Sequence, residues 1–98
     1  MALLDLLGRR WTLRICWELR DGRPLSFREL QQRCDSMSAS VLNERLGELR
    51  EAGIVELERG GYRLTALGSE LLEKLEPLDR WARRWAAPSR AGPPAGGR

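Results

Sequence analysis

The sequence predicts a winged helix-turn-helix, a mainly α fold completed by a small β-hairpin wing. Two observations support this. Two helix starts follow each other closely, at Ser26 and Ser38, and the diglycine Gly60-Gly61 then separates two short apolar runs. Two helices joined by a short turn and followed by a β-ribbon commonly place one helix in the major groove of DNA. The segment from residue 26 to residue 63 therefore predicts both a fold and a partner, double-stranded DNA.

Length and composition favour a single domain. The chain has 98 residues, of which 42% are hydrophobic, enough for one modest core. We expect that domain, with terminal dimerisation helices, to span residues 1–87, and the Pro-, Gly- and Arg-rich residues 88–98 to form a disordered tail. No apolar run is long enough to cross a membrane, and no leader pattern precedes the first helix. We therefore expect a cytoplasmic protein with no membrane partner.

The absence of histidine argues against most catalytic and metal chemistry. The chain has two cysteines, Cys16 and Cys34, and no histidine. Zinc sites need three or four Cys, His or acidic ligands, and the common nucleophile arrangements need an imidazole base. We therefore predict no enzyme activity, no metal and no cofactor. Cys16 is expected in the core, and Cys34 lies near a helix end where it could be exposed. The sequence leaves open whether either has a redox role.

The charge distribution both supports and complicates DNA binding. The net charge is +3, and sixteen of the seventeen basic residues are arginine, which binds phosphate and guanine through a planar fork. A GC-rich genome would produce the same bias. Residues 35–65, however, contain four basic and six acidic residues. Groove reading must then depend on small and amide side chains, with arginines elsewhere supplying the attraction to phosphate.

Two helices are predicted before the helix-turn-helix. Residues 2–7 form a short first helix, which Gly8 interrupts. Residues 10–20 form a second, with one apolar stripe that should face the core, made of Thr12, Ile15, Cys16 and Leu19. Leu13 and Trp17 lie on another side of the same helix. A helix that is apolar on two sides packs against two partners.

The next two helices should form the DNA-reading unit. The first, capped by Ser26 and running to Arg33, should bury Phe27 and Leu30. After a turn at residues 34–37, the recognition helix should run from Ser38 to Ala52 and stop at Gly53. Asparagine can pair with adenine, and glutamate can accept from the cytosine amine. The predicted major-groove contacts are Ser38, Ser40, Asn43, Glu44 and Arg45. The alternative is an ordinary amphipathic surface helix.

A hairpin should follow, with strands at residues 54–59 and 62–65 and Gly60-Gly61 as its two-residue loop. In that register Leu57 faces Leu64 and Glu58 faces Arg63. We therefore expect Val55, Leu57 and Leu64 to share a buried face, and Arg63 to pair with Glu58. The predicted contacts to the DNA backbone are Ser26, Arg28, Arg59 and Arg63. A plain hairpin that only closes the core is the alternative.

The last predicted element, residues 66–86, is a helix that Pro77 should kink or restart. Two tryptophans so near a terminus exceed what the core of one chain can cover. We therefore expect a homodimer, whose interface we predict to contain Leu13, Trp17, Leu78, Trp81 and Trp85. The alternative is that the last helix folds over the first helices of its own chain.

Several segments, taken together and in order, resemble a known family. They are residues 4–13 (LDLLGRRWTL), 24–30 (PLSFREL), 42–46 (LNERL), 49–55 (LREAGIV) and 62–68 (YRLTALG). This set is similar to the HxlR-type winged-helix transcriptional regulators, relatives of the MarR group, over residues 2–86. The resemblance implies a bacterial dimer that binds operator DNA, with its recognition helix starting at Ser38.

Two departures from the family pattern affect that expectation. Some family members sense redox state through a cysteine just before the first helix, and this sequence has no counterpart, so no sensing role is implied. The wing is also shorter than usual, which limits its expected contact to phosphates near Arg59.

The function we predict is regulation of transcription by a dimer bound to a palindromic operator. Two other functions remain open. One is a winged-helix module that binds protein instead of DNA. The other is a ligand-sensing regulator, with an unknown small-molecule effector in a pocket near Trp17, Trp81 and Trp85.

Overall fold

The structure, a computed structural model, describes residues 2–87. The predicted tail at residues 88–98 lies outside the described residues. The described part is mainly helical with a two-stranded antiparallel hairpin, as predicted. The elements in chain order are α1 (Ala2–Leu7), α2 (Thr12–Glu18), α3 (Phe27–Arg33), α4 (Ala39–Glu51), β1 (Val55–Glu58), β2 (Gly61–Leu64) and α5 (Ala66–Trp85).

The core lies where α2, α3 and α4 meet. The predicted stripe of α2 is buried throughout, from Thr12 to Leu19. The apolar face of α4 is buried as well, and its fully enclosed members are Leu42, Leu46 and Leu49. Each such leucine removed from water contributes on the order of 2 kcal/mol. Burial of this one face packs α4 against the rest of the molecule.

Both helices of the helix-turn-helix begin at the predicted caps. The Ser26 backbone N–H donates to Glu29 Oε1 at 2.8 Å, and the Glu29 N–H donates to Ser26 Oγ at 3.1 Å. This bond from the Ser26 backbone holds the pKa of the Glu29 carboxyl below its usual value. At the start of α4, Ser38 Oγ accepts from the Val41 N–H at 3.1 Å. Gly53, with φ 78°, ends α4 in the left-handed conformation that was predicted.

The predicted hairpin register is wrong. The strands pair Val55 with Leu64, Leu57 with Tyr62 and Glu58 with Gly61, so the two-residue loop is Arg59-Gly60. Gly61 is instead a strand residue with φ 130°, and a β-carbon on it would overlap the carbonyl of Leu25. Glycine is needed there because the strand passes close to another backbone.

The contact that causes this shift is a pair of backbone hydrogen bonds outside the hairpin. The Leu25 N–H donates to the Tyr62 carbonyl at 2.9 Å, and the Tyr62 N–H donates to the Leu25 carbonyl at 2.8 Å. Leu25 therefore forms an isolated bridge to β2. It attaches the wing to the loop before α3.

The predicted burial of the hairpin is confirmed for two residues of three. Val55 and Leu64 are buried, but Leu57 is 47% exposed. Beyond Val55 the strand leaves the core: Glu56 is half-buried, and Leu57 and Glu58 are exposed. Alternation predicts which side a residue faces, but not how far the core extends along a strand.

The last helix is continuous through Pro77, so no second helix restarts there. It begins at Thr65, whose Oγ1 accepts from the Gly68 N–H at 3.0 Å and donates to the Gly53 carbonyl at 2.6 Å. A β-carbon on Gly68 would overlap the Ile54 carbonyl. The start of α5 is thus held closely against the end of α4. Among residues 2–87, no helix has both the length and the apolar character to cross a membrane.

We expect Gly68→Ala to lower the free energy of unfolding by about 1–3 kcal/mol, because the new methyl group must displace the Ile54 backbone. The matched control is Gly47→Ala in α4, where an added β-carbon meets nothing within 4 Å. There the better helix propensity of alanine should raise stability by about 0.8 kcal/mol. Urea denaturation followed by circular dichroism measures both, and equal effects of the two substitutions would contradict the close approach at Gly68.

Candidate nucleic-acid interface

The first turns of α3 and α4 present one group of polar side chains to solvent. The exposed side chains are those of Ser26, Arg28, Ser38, Ser40, Asn43 and Glu44. The two longer side chains of α4, Asn43 and Glu44, follow its first turn, where backbone N–H groups also point outward. A helix N-terminus of this kind attracts negative charge. The geometry therefore suits an anionic partner that approaches along the start of α4.

The serine hydroxyls of this surface can still donate. Ser26 Oγ and Ser38 Oγ each accept a backbone N–H of their own helix. Ser40 Oγ lies 3.3 Å from Ser38 Oγ, so one of the two donates to the other. A capping hydroxyl uses a lone pair on its cap and keeps its proton. At least one hydroxyl of the serine pair, and that of Ser26, therefore remain able to bind a phosphate oxygen or a base.

Side chains that sequence reasoning missed hold the turn between α3 and α4. Gln31 Nε2 donates to the Met37 carbonyl at 2.9 Å, and Arg14 donates to the Arg33 carbonyl at 2.6 Å. Asp35 and Ser36 within the turn have φ values of 60° and 55°, in the left-handed region. No local sequence pattern signals the Arg14 bond, because Arg14 lies on another helix, 19 residues from Arg33. These bonds fix where α4 begins relative to α3.

The structure does not place Arg45 with the groove-facing residues. Its side chain is 14% exposed, and it donates to the Arg10 carbonyl at 2.9 Å and to Glu48 at 3.2 Å. The guanidinium is drawn inward because a backbone carbonyl and a carboxylate lie within reach on that side of α4. The major-groove role expected for Arg45 does not fit this geometry.

The wing contains one free arginine and one neutralised arginine. Arg63 pairs with Glu56 at 3.0 Å and with Glu58 at 3.1 Å. The predicted pair with Glu58 is therefore present, although Glu56 is the residue directly opposite. Arg59 is exposed at the hairpin loop and makes no ion pair within residues 2–87. Arg59 can thus reach a phosphate without breaking an existing contact, whereas Arg63 cannot.

Arg23 is a further basic residue near the wing that sequence reasoning missed. It is exposed and directly precedes Pro24, which contacts the hairpin loop: a β-carbon on Gly60 would lie 3.4 Å from Pro24 Cβ. Arg23 and Arg59 therefore lie on neighbouring segments. The contact between Pro24 and Gly60 is long-range, so local patterns gave no signal for it.

Both cysteines are buried and free, which corrects the expectation that Cys34 could be exposed. Burial raises the pKa of the Cys16 thiol to about 11. It also raises the pKa of Cys34, and the nearby Arg14 guanidinium opposes that rise. Thiols of this kind stay protonated and unreactive near neutral pH. Within the described residues, no group of three or more Cys, Asp or Glu side chains is arranged to hold a metal.

A second surface, formed by α2 and α5, is apolar. Its large exposed side chains are Leu13, Trp17, Leu78, Trp81 and Trp85, between 40% and 59% exposed. A groove between the two helices is lined by four leucines, Trp17 and Ala82, together with the charged residues Arg14, Glu76 and Asp79. Trp81 and Trp85 stack on each other with ring centroids 6.1 Å apart. The α5 helix therefore lies along α2 of its own chain, yet leaves these tryptophans substantially open.

Comparison with known proteins agrees with this architecture. Residues 6–90 match the sequence profile of the HxlR-like helix-turn-helix family. The chain is 33% identical over 93 residues to the HTH-type transcriptional regulator YvaP of Bacillus subtilis, covering 88% of this chain and 85% of that protein. It is 33% identical over 94 residues to the HTH-type transcriptional regulator YodB of the same organism, covering 89% and 83%.

Solved structures give the same result. The quinone-bound form of YodB from B. subtilis superposes with a TM-score of 0.78 at 35% identity, covering 85% of this chain and 93% of that one. A possible HxlR family transcriptional factor from Thermoplasma volcanium superposes with a TM-score of 0.72 at 30% identity, covering 81% and 76%.

Burial of Cys16 predicts a loss of stability at high pH. The pKa of this thiol is 9.0 without burial and about 11 in the folded chain, so its contribution to stability is present in full below about pH 9 and is lost as the pH rises towards 11. We expect the wild type to lose about 1.4 kcal/mol more than Cys16→Ala between pH 7 and pH 10. Urea unfolding at both pH values measures this, and parallel losses in the two proteins would contradict it.

Proposed function

The chain belongs to the HxlR-like helix-turn-helix family, and we propose that it acts as a homodimer on a palindromic DNA operator. The family and the named relatives establish the coarser function: the chain is a DNA-binding transcriptional regulator and not an enzyme. The dimer, the operator symmetry and the individual contacts are our proposal. A regulator of bacterial genes would act in the cytoplasm, where the chromosome lies.

One observation carries the proposed DNA contact: the first turns of α3 and α4 expose polar side chains whose caps leave hydroxyl protons free. We place the start of α4 in the major groove. Asn43 would pair with adenine, and Glu44, with a side chain 65% exposed, would accept from a cytosine amine. The remaining groove contacts are Ser38 and Ser40.

The backbone contacts follow from which basic and hydroxyl groups are free. Arg28 and Arg59 are exposed and make no ion pair within residues 2–87, and Ser26 keeps a donor proton. We assign phosphate binding to these three residues. Arg63, which the sequence also suggested, would instead balance the charge of Glu56 and Glu58 beside the DNA. With so few phosphate ligands in each protomer, the salt dependence of binding should be moderate.

The apolar surface of α2 and α5 supports the dimer. One chain packs α5 along its own α2 and still leaves Trp17, Trp81 and Trp85 at least 40% exposed. Contact with a second copy would remove these rings from water, and each would contribute several kcal/mol in a well-packed interface. A two-fold axis there would place two α4 helices roughly 34 Å apart, one turn of DNA. The operator should then be palindromic.

Ligand sensing is the second candidate function. The apolar groove between α2 and α5 lies beside Trp17, and a quinone-bound structure is known for the relative YodB. Covalent capture of a quinone would need an accessible thiol, whereas both cysteines of this chain are buried within the described region. A non-covalent apolar effector therefore fits this chain better. Tryptophan fluorescence on addition of candidate effectors tests this candidate: a saturable shift supports it.

We expect Arg28→Ala and Arg59→Ala to weaken binding equally on all DNA sequences. Each removes one phosphate contact per protomer, so the slope of log K against log salt should fall in magnitude by about two per dimer. The control is Arg80→Ala, which removes the same charge from α5, a helix outside the helix-turn-helix and the wing. Fluorescence anisotropy at several salt concentrations measures the slopes. Equal slopes for all three variants and the wild type would refute the assigned contacts.

We expect the double substitution Trp81→Ala and Trp85→Ala to produce a folded monomer. The stacked pair supplies the largest exposed apolar area on α5, and its loss should weaken dimerisation by several kcal/mol. Leu57→Ser removes an exposed apolar side chain on the wing and should leave the dimer intact. Sedimentation equilibrium gives the masses. A wild-type monomer at all concentrations, or a dimeric double variant, would contradict the proposed interface.

A further inference from the structure

We propose that Arg45 is a positioning residue for DNA recognition, which fixes the orientation of α4 by tying it to the turn between α1 and α2. This role rests on the proposed placement of α4 in the major groove. Arg45 would touch no base and no phosphate. Its effect on operator binding would be transmitted through the angle and depth at which α4 presents its first turns.

The contacts of Arg45 join α4 to the turn between α1 and α2. Its Nε donates to the Arg10 carbonyl at 2.9 Å, a backbone atom 35 residues away. Its Nη1 lies 3.2 Å and 3.3 Å from the two carboxylate oxygens of Glu48, one turn further along α4, and 3.5 Å from Oε1 of the neighbouring Glu44. Arg9 also approaches the same carboxylate, at 3.6 Å. A planar guanidinium held on two sides has its position and rotation fixed, which a lysine ammonium cannot reproduce.

The turn that receives this bond is itself strained. Trp11, the residue before α2, has φ 79°, and no side chain caps the helix that follows. A non-glycine residue in that region costs on the order of 1–3 kcal/mol and persists where its surroundings hold it. Trp11 packs against the core, and the Arg10 guanidinium lies 5.7 Å from its ring centroid. The Arg10 carbonyl is therefore presented to Arg45 by a turn with little freedom to move.

The hydrogen bonds of Arg45 restrict the rotation and position of α4 more tightly than its apolar contacts alone. The face of α4 held by Leu42, Leu46 and Leu49 is apolar, and apolar contact is non-directional, so it tolerates small rotations and shifts of the helix. A hydrogen-bonded fork tolerates much less. Misplacement by about 1 Å is enough to lose a bidentate contact to a base edge, since such contacts need good hydrogen-bond geometry.

The contacts of Arg45 also determine where the Glu48 carboxylate points. This carboxylate lies in the acidic part of the chain, yet Arg45 and Arg9 hold it towards the α1–α2 turn with its side chain 26% exposed. Two explanations of Glu48 then predict opposite results. If it were merely an unfavourable charge near DNA, its removal would strengthen binding. If it orients Arg45, its removal weakens binding to the operator.

The experiment compares Arg45→Met, Arg45→Lys, Glu48→Gln and the Arg45→Met/Glu48→Gln double variant with the wild type. The matched control is Arg50→Met, which removes an exposed arginine from the same helix. Each protein is titrated with an operator selected from random DNA and with unrelated duplex DNA, at several salt concentrations. Sedimentation and thermal unfolding report on the dimer and on folding.

We expect Arg45→Met to weaken operator binding about tenfold, while binding to unrelated DNA and the salt slope stay unchanged. Glu48→Gln should also weaken operator binding, although it removes a negative charge. The double variant should be no weaker than Arg45→Met, because both residues act through one tie. Arg45→Lys should recover part of the loss, since an ammonium can reach one partner.

Three results would overturn the role. Arg45→Met could weaken both DNAs equally and reduce the salt slope, which would make Arg45 a phosphate ligand. Glu48→Gln could bind both DNAs more tightly, which would mean that Glu48 acts only as an unfavourable charge near DNA and does not orient Arg45. Arg45→Met could match the wild type on the operator. If Arg45→Met fails to fold, Glu48→Gln and Arg45→Lys decide the question. A wild type from which no operator can be selected would refute the groove placement of α4 itself, a failure distinct from these three.

Discussion

Burial of one face of α4 is the constraint on which the rest of the structure depends. Leu42, Leu46 and Leu49 can leave water only if that face lies against α2 and α3, and the 3.6-residue period then turns the opposite face outward. The buried leucines of α4 therefore determine which of its side chains are left on the outer face, where DNA can be contacted. Asn43 and Glu44 are exposed because the leucines on either side of them are enclosed, and the capped start at Ser38 determines how far along the helix this exposed face begins.

The acidic middle of the chain is largely neutralised from within. Arg45 pairs with Glu48, and Arg63 pairs with both Glu56 and Glu58. The pairs of Arg63, which are open to solvent, add at most about 1 kcal/mol each to stability. Their main effect is to make the electrostatic potential at this surface less negative, since paired carboxylates repel phosphate less than free ones. The same pairing occupies Arg45 and Arg63, which is why the proposed phosphate ligands are Arg28 and Arg59, two exposed arginines with no ion pair within residues 2–87.

Local sequence patterns predicted the helices and strands, whereas long-range contacts determined the hairpin register and the orientation of Arg45. The capping box at Ser26, the cap at Ser38 and the stop at Gly53 depend on residues within one turn, so the sequence alone was enough for them. The hairpin register was wrong because a diglycine suits a tight loop, whereas here Gly61 is needed where β2 passes Leu25. The inward turn of Arg45 has the same origin, because its partner is the Arg10 carbonyl. The direct contacts to DNA and the dimer remain predictions.

The recognition helix is held at two points that both lead to the proposed dimer surface. Near its middle, Arg45 joins it to the turn from which α2 begins, and α2 carries Leu13 and Trp17. Just past its end, Thr65 binds the Gly53 carbonyl and so joins it to α5, the helix that carries the stacked tryptophans. Because α2 and α5 are each joined to α4 by one of these bonds, a shift of either helix would move α4. The spacing between two recognition helices would then be set by how the surface packs, and an effector bound in the groove between α2 and α5 would act on that spacing directly.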